Sequence, residues 1–223
     1  MKDRIRERIE EIMSVIPRCK VFADVGCDHG YAAEKALKSG RCEKAVVSDV
    51  SEKCLMKARS LLSGYIAKGR AIAVLSDGFK NLPPCDVALI AGMGGEEIAK
   101  IISDAAKDGY VLPETLVLQP MKNADKVRAL LAEIGYRLEK DYLFYVGDKY
   151  YFLIKAVRGA DVLSDEEREF GRTNVNELPP DFIRYVKEEL SKFAPISAQC
   201  GETGCGREKI DDKIKRLKKY VDS

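Results

Sequence analysis

The feature that most constrains this chain is an alternation. Apolar runs at Val21–Val25, Ala45–Ser48, Ala71–Leu75, Asp86–Ala91 and Thr115–Leu118 are interleaved with amphipathic stretches at Ala32–Lys38, Ser51–Ser63, Glu96–Lys107 and Ala124–Ile134. A strand that is apolar along its whole length must be covered on both faces, and interleaved helices supply that cover, so the pattern predicts a parallel sheet between two helical layers. A helix over Asp3–Ile16, with Ile5, Ile9, Ile12, Met13 and Ile16 at helical spacing, precedes the sheet and stops at Pro17. After Gly135 the pattern changes. Tyr142–Val146 and Lys149–Ala156 flank Gly147-Asp148 and read as an antiparallel pair on a tight turn. From Ser164 onward no strand is predicted. Helices are expected at Asp165–Phe170, Pro180–Phe193 and Arg207–Val221, with the stretch Pro195–Gly206 as the turn of a helical hairpin. The expected architecture is α/β: a mostly parallel seven-stranded sheet with an antiparallel final strand (residues 1–160), plus a small coiled-coil-like helical domain (residues 161–223).

Composition narrows the function classes. At 223 residues and 46% hydrophobic, the chain can bury a full core. With Lys+Arg 38 against Asp+Glu 36, net charge by itself points to no nucleic acid. Basic residues do gather late, at Lys213, Lys215, Arg216, Lys218 and Lys219. Seven scattered cysteines behind a charged, amphipathic N-terminal stretch predict reduced thiols and a cytoplasmic location. Cys200 and Cys205, with the single histidine His29 far off in sequence, make a poor zinc ligand set, so no metal is expected. No apolar run reaches the roughly 18 residues that a membrane-spanning helix needs.

In an open α/β sheet the ligand lies beyond the carboxyl ends of the strands. There the sequence places Asp24, Gly26, Asp28, His29 and Gly30 after the first strand, and Asp49-Val50 after the second. Asp77-Gly78 follow the third strand, Gly92-Met93-Gly94-Gly95 the fourth, and Gln119-Pro120 the fifth. A dinucleotide site needs G-x-G-x-x-G so that amides approach a pyrophosphate. Here the turn is Gly26-x-x-x-Gly30 beside two acids, which repel phosphate and suit a cationic, phosphate-free cofactor. S-adenosylmethionine, with its sulfonium and ammonium, fits. Asp49 is placed to accept the ribose hydroxyls, and Asp77 the adenine amine. The cofactor-binding set is Asp24, Gly26, Asp49, Val50, Asp77, Gly78, Gly92, Met93 and Gly94. Any one of these acids alone reads as a loop-solvating or helix-capping residue; the four acids Asp24, Asp28, Asp49 and Asp77 at matching strand ends read as a site. The fold class is then Rossmann-like, of the class I methyltransferase type.

The acceptor is narrowed by what is missing. The Asp/Asn-Pro-Pro-aromatic signature of enzymes that methylate exocyclic base amines is absent after the fourth strand. Pro84-Cys85 resembles a C5-methylating nucleophile but lies before that strand, at the wrong edge. A ring nitrogen needs neither device: adenine N1 carries a free in-plane lone pair, and catalysis becomes chiefly positioning. Asp28 is the candidate that stabilises the cationic product, and His29 the candidate that orients the base.

The segments ADVGCDHGY, VSDV, LSDGF, DVALIAGMGG and LVLQPM, continued in YYFLIKAVRG and FGRTNVNELPPDFIRYVKEEL, resemble the bacterial tRNA adenine-N1 methyltransferases that modify position 22. The resemblance runs from about Ile5 to Leu190. It departs from the family pattern at Cys27, Gly30, Ala32-Ala33 and Met121, where the family carries Ser, Ala, Leu-Pro and Asn. It implies methyl transfer from S-adenosylmethionine to N1 of a tRNA adenine, with Gln119, Lys213 and Arg216 on the substrate side. Two alternatives stay open: a methyltransferase on another acceptor, and a non-catalytic module that keeps the cofactor fold to bind RNA or a partner.

Overall fold

The structure is a computed structural model that describes residues 2–199 and 205–221. Among these, seven strands form one sheet: β1 (Cys19–Val25), β2 (Cys42–Asp49), β3 (Ala71–Leu75), β4 (Val87–Met93), β5 (Thr115–Pro120), β6 (Tyr136–Val146) and β7 (Lys149–Arg158). Their order is β3-β2-β1-β4-β5-β7-β6. The first five are mutually parallel, and β7 runs antiparallel to both β5 and β6. The antiparallel final strand is therefore inserted between β5 and β6, and β6 forms the sheet edge.

Side-chain alternation splits the core into two layers. Phe22, Val47, Leu89, Val117 and Leu153 face α1 (Lys2–Val15), α2 (Tyr31–Lys38) and α3 (Glu52–Leu61). Ala23, Val46, Ile90, Leu118 and Ile154 face α5 (Gly95–Lys107) and α6 (Ala124–Glu133). Ala32, Ala33 and Ala36 are all buried, and their small side chains let α2 lie close on the sheet. Ser51 caps α3, its side chain accepting from the Cys54 amide. A short α4 (Ser63–Ala67), which the sequence did not announce, leads into β3.

Three expectations are corrected. β1, β2 and β6 begin two to six residues earlier than their apolar runs. In β6 a register shift between Leu138 and Lys140 breaks the alternation that would have revealed the strand. An unforeseen helix, α8 (Arg172–Glu177), follows α7 (Asp165–Phe170). Finally, α9 (Pro180–Gln199) continues through Pro195 instead of turning there. Its partner α10 spans Cys205–Lys218, and the joining turn with Cys200 lies outside the described residues.

The helices after β7 are tied to the sheet edge. Four amides of β6 donate to side chains from this region: Leu138 to Asp161 (2.8 Å), Asp141 to Thr173 (3.0 Å), Leu143 to Asn174 (3.1 Å) and Tyr145 to Asp181 (2.9 Å). An edge strand with free amides invites pairing with other chains, and these side chains consume them. Beneath them the fully buried Arg128–Asp141 pair forms two bonds of 2.8 and 3.0 Å. Arg128 also donates to the carbonyls of Arg168 and Glu169. Leu143, Phe170, Phe182, Val186 and Leu217 form a third apolar cluster under the helical hairpin.

Candidate active site

The first two loops at the carboxyl edge are braced by each other. The Gly26 and Cys27 amides donate to the Ser48 carbonyl (2.8 and 2.9 Å), and the Gly30 amide donates to the Cys27 carbonyl (2.8 Å). Asp28 sits at φ 45° with its amide on Asp49 Oδ2 (3.1 Å), and the Ser51 amide donates to Asp49 Oδ1 (2.9 Å). Four of the five amides in the Gly26–Gly30 turn are thus spent inside the protein. A pyrophosphate would find no cradle here. Each Asp49 oxygen keeps a further lone pair for hydroxyl donors.

A hollow of about 300 Å3 opens beside this brace, lined by Gly26, Asp49, Val50, Asp77, Gly78 and Met93. These six of the nine expected cofactor residues are brought together. The sequence reading missed Ser76 and Phe79, and also one face of α5: Glu97, Lys100, Ile101, Asp104 and Asp108. Their spacing of three and four along one helix was the available signal. Five carboxylates (Asp49, Asp77, Glu97, Asp104 and Asp108) outnumber Lys80 and Lys100 around the hollow, and both lysines are held by acids. Lys80 pairs with Asp77 at 3.3 Å and Lys100 with Asp104 at 2.5 Å. The hollow favours a cation.

The other three expected cofactor residues, Asp24, Gly92 and Gly94, do not line the hollow. Asp24 is buried at the end of β1, near the first turn of α2. Burial pushes its pKa up to about 7; the Ala33 amide works against that rise and the Asp49 charge adds to it. Gly92, at φ 80°, sits in a register shift between Ala91 and Met93. One extra residue there turns Met93 to the α5 side of the sheet, so that its methyl covers Gly26. Gly94 caps α5 in an extended conformation. Gly95 follows because a Cβ there would fall 2.1 Å from the Asn123 carbonyl oxygen. The loops after β4 and β5 interlock at this point, with the Met121 amide on the Met93 carbonyl and the Gly95 amide on the Lys122 carbonyl (both 2.8 Å).

Asp28 and His29 form a pair on the rim. His29 Nδ1 lies 2.7 Å from Asp28 Oδ2, and Lys57 Nζ lies 3.3 Å from Asp28 Oδ1. Desolvation raises the Asp28 pKa, but hydrogen bonds from His29, Cys54 and Lys57 outweigh it and hold the carboxyl below its usual range. The His29 ring stacks on Tyr31 at 5.2 Å. Both rings open onto a shallow depression with Lys53, Met56 and Lys57, beside the main hollow but not in it.

On the substrate side, Gln119 ends β5 fully buried. Its Nε2 donates to the Pro120 carbonyl, while its Oε1 has no partner among the described residues. Lys213 and Arg216 line a groove on α10 with Asn123, Asp165, Glu169 and Asp212. Arg216 is paired with Glu169 at 2.6 Å, and Lys213 sits over the Phe193 ring. Cys85 lies before β4 and does not line the hollow, and burial pushes its thiol up to about 11. Among the described residues no group of three His, Cys, Asp or Glu side chains could hold a metal ion, and no helix is long and apolar enough to cross a membrane.

With fold and site in view, comparison with known proteins identifies the class: residues 5–154 match the family described as methyltransferase domain, and the chain belongs to it. A tRNA (adenine(22)-N(1))-methyltransferase of Bacillus subtilis is 28% identical over 163 residues, covering 70% of this chain and 66% of the relative. Each of the curated relatives is spanned over less than two thirds of its own length, between 58% and 66%. Among solved structures, a Streptococcus pneumoniae protein provisionally named a tRNA (m1A22) methyltransferase superposes with a TM-score of 0.89 at 25% identity, covering 96% of this chain and 98% of its own. The M. capricolum protein TrmK, in complex with S-adenosyl-homocysteine, superposes at 0.82 and 24% identity, covering 96% of each chain.

Proposed function

We propose that the protein is an S-adenosylmethionine-dependent methyltransferase acting on N1 of an adenine in tRNA, at position 22. The observation that carries the donor is the acid-lined hollow next to a glycine turn whose amides are already spent. That donor set fits a sulfonium cofactor and rejects a phosphate-bearing one. Similarity to relatives named for N1 of adenine 22 carries the acceptor.

When bound, the cofactor supplies an electrophilic methyl group. The chain's own residues do the rest. Asp49 would accept from the ribose hydroxyls and Asp77 from the adenine amine, while Met93 and Ile101 wall the hollow. The acceptor base enters over the ends of β4 and β5. There Gln119, buried at the end of β5, is the polar side chain that helps fix N1 in line. The Asp28 carboxylate, kept ionised by its hydrogen bonds, stabilises the positive charge that develops on the base, and His29 is held in place by Asp28 and Tyr31. A base inside folded RNA must first be turned out of its stack. Residues 161–223 form the part that grips the tRNA body, with Lys213 and Arg216 at its groove, and the protein works in the cytoplasm.

The test is transfer of labelled methyl from S-adenosylmethionine to unmodified bulk tRNA, followed by nucleoside mass spectrometry. 1-Methyladenosine is expected. Cofactor binding without label in any RNA would overturn the acceptor, in favour of another substrate or a non-catalytic module.

A further inference from the structure

Helix α1 carries a basic feature that the site description leaves unused. Ile9, Ile12, Met13 and Ile16 face the core, while Arg4 and Arg8, one turn apart, flank that face on one side and Arg6 lies on the other. The Arg8 guanidinium stands 5.8 Å over the Tyr151 ring of β7. Its Nη1 and Nη2 are 3.8 and 3.9 Å from where a Cβ on Gly92 would sit. Gly92 belongs to β4 and Tyr151 to β7, and β5 runs between these strands. The guanidinium therefore lies across the carboxyl end of β5. Gln119 points to that same face, since it alternates with Val117, which packs on the α1 side.

Arg8 is half-buried, and among the described residues its Nε has no hydrogen-bond partner and no ion pair includes it. A buried guanidinium nitrogen with no acceptor is costly to keep in a folded chain, and the Nη groups of Arg8 are left to take a partner. At the end of β5, Gln119 Oε1 is also buried without a partner among the described residues. Two buried atoms without partners among the described residues, Arg8 Nε and Gln119 Oε1, thus belong to side chains that face the same side of the sheet near the carboxyl end of β5.

We propose that Arg8 is a binding residue of the active site: its guanidinium takes an oxyanion presented over the ends of β4 and β5, with Arg4 extending the basic row outward. This rests on the function proposed above. The planar fork of arginine suits either a phosphate flanking the acceptor base or the carboxylate at the amino-acid end of the methyl donor.

The experiment compares wild type with Arg8→Met, Arg8→Lys and, as a control on the opposite side of α1, Arg6→Met. Calorimetry reads affinity for S-adenosylmethionine and for its decarboxylated analogue. Filter binding reads affinity for unmodified tRNA against salt, and thermal melting checks the fold. Arg8→Met is expected to weaken one ligand about tenfold or more, as loss of a charge-assisted fork does. Arg8→Lys should recover part of it, and Arg6→Met should match wild type. If the anion is a phosphate, tRNA affinity falls, its salt slope drops by about one, and donor affinity stays put. If it is the carboxylate, donor affinity falls and affinity for the decarboxylated analogue does not. Wild-type affinities for donor and tRNA in a well-folded Arg8→Met overturn the proposal. So does a loss equal for both donors with tRNA affinity unchanged. A wild type that binds no tRNA removes the proposed acceptor, while the two donor titrations still decide whether Arg8 holds the carboxylate.

Discussion

Asp24 shows how a residue read in sequence as a strand-end acid can lie buried. In sequence it is the acid that ends the first apolar run. In the structure it is buried, with its pKa pushed up to about 7 by burial. A carboxyl whose folded pKa exceeds its unfolded 3.8 binds more protons folded than unfolded between those values. Its contribution to stability is complete below about pH 4 and is lost as pH rises through about 7. Wild type should therefore lose on the order of 1–4 kcal/mol more than Asp24→Asn between pH 5 and pH 8 in urea unfolding. Parallel pH curves for the two proteins would refute the buried-acid assignment. The glycines after β4 carry a similar lesson. G-M-G-G was legible as a loop at the right strand end. Its separate duties were not: a bulge at Gly92, a cap at Gly94 and a close approach at Gly95. They depend on where the β5–α6 loop passes, and no local pattern states that.

At the scale of elements, β6 was the hardest strand to read and is the most consequential for how the chain holds together. Its first half mixes charged residues into the pattern, and a bulge breaks the alternation. The buried Asp141 there looks like a surface acid in sequence, yet it receives Arg128 from α6 and the Arg172 amide from α8. Removing one partner of a buried ion pair strands the other. Arg128→Met should cost about 3–5 kcal/mol by urea unfolding, and Arg128→Met with Asp141→Leu should recover part of that loss. A double variant as unstable as the sum of the singles would mean that Arg128 acts through its bonds to the α7 carbonyls rather than through Asp141. The α5 face of the hollow belongs to the same scale. Glu97, Ile101, Asp104 and Asp108 recur at helical spacing, but only the packed helix says that this face turns to the hollow.

For the whole molecule, the question is whether residues 161–223 behave as a separate unit. Asp161, Thr173, Asn174 and Asp181 consume edge amides of β6, and Arg128 binds carbonyls in α7. Calorimetry of the full chain should accordingly show one unfolding transition, with the calorimetric and van't Hoff enthalpies agreeing. Two resolved transitions would mean that the helical part folds independently. The sequence by itself determined the layered α/β class, the seven strands, the hairpin reversal at Gly147-Asp148 and the strand ends where Asp49, Asp77 and Met93 stand. These are local matters: hydrophobic period, turn chemistry and chain direction fix them. Only the tertiary structure decided that β7 slots between β5 and β6, that Asp28 and His29 sit on the rim while Asp24 is buried and does not line the hollow, and that Arg8 crosses the end of β5. Those placements join residues many tens of positions apart, and packing, not any short pattern, selects which of them meet.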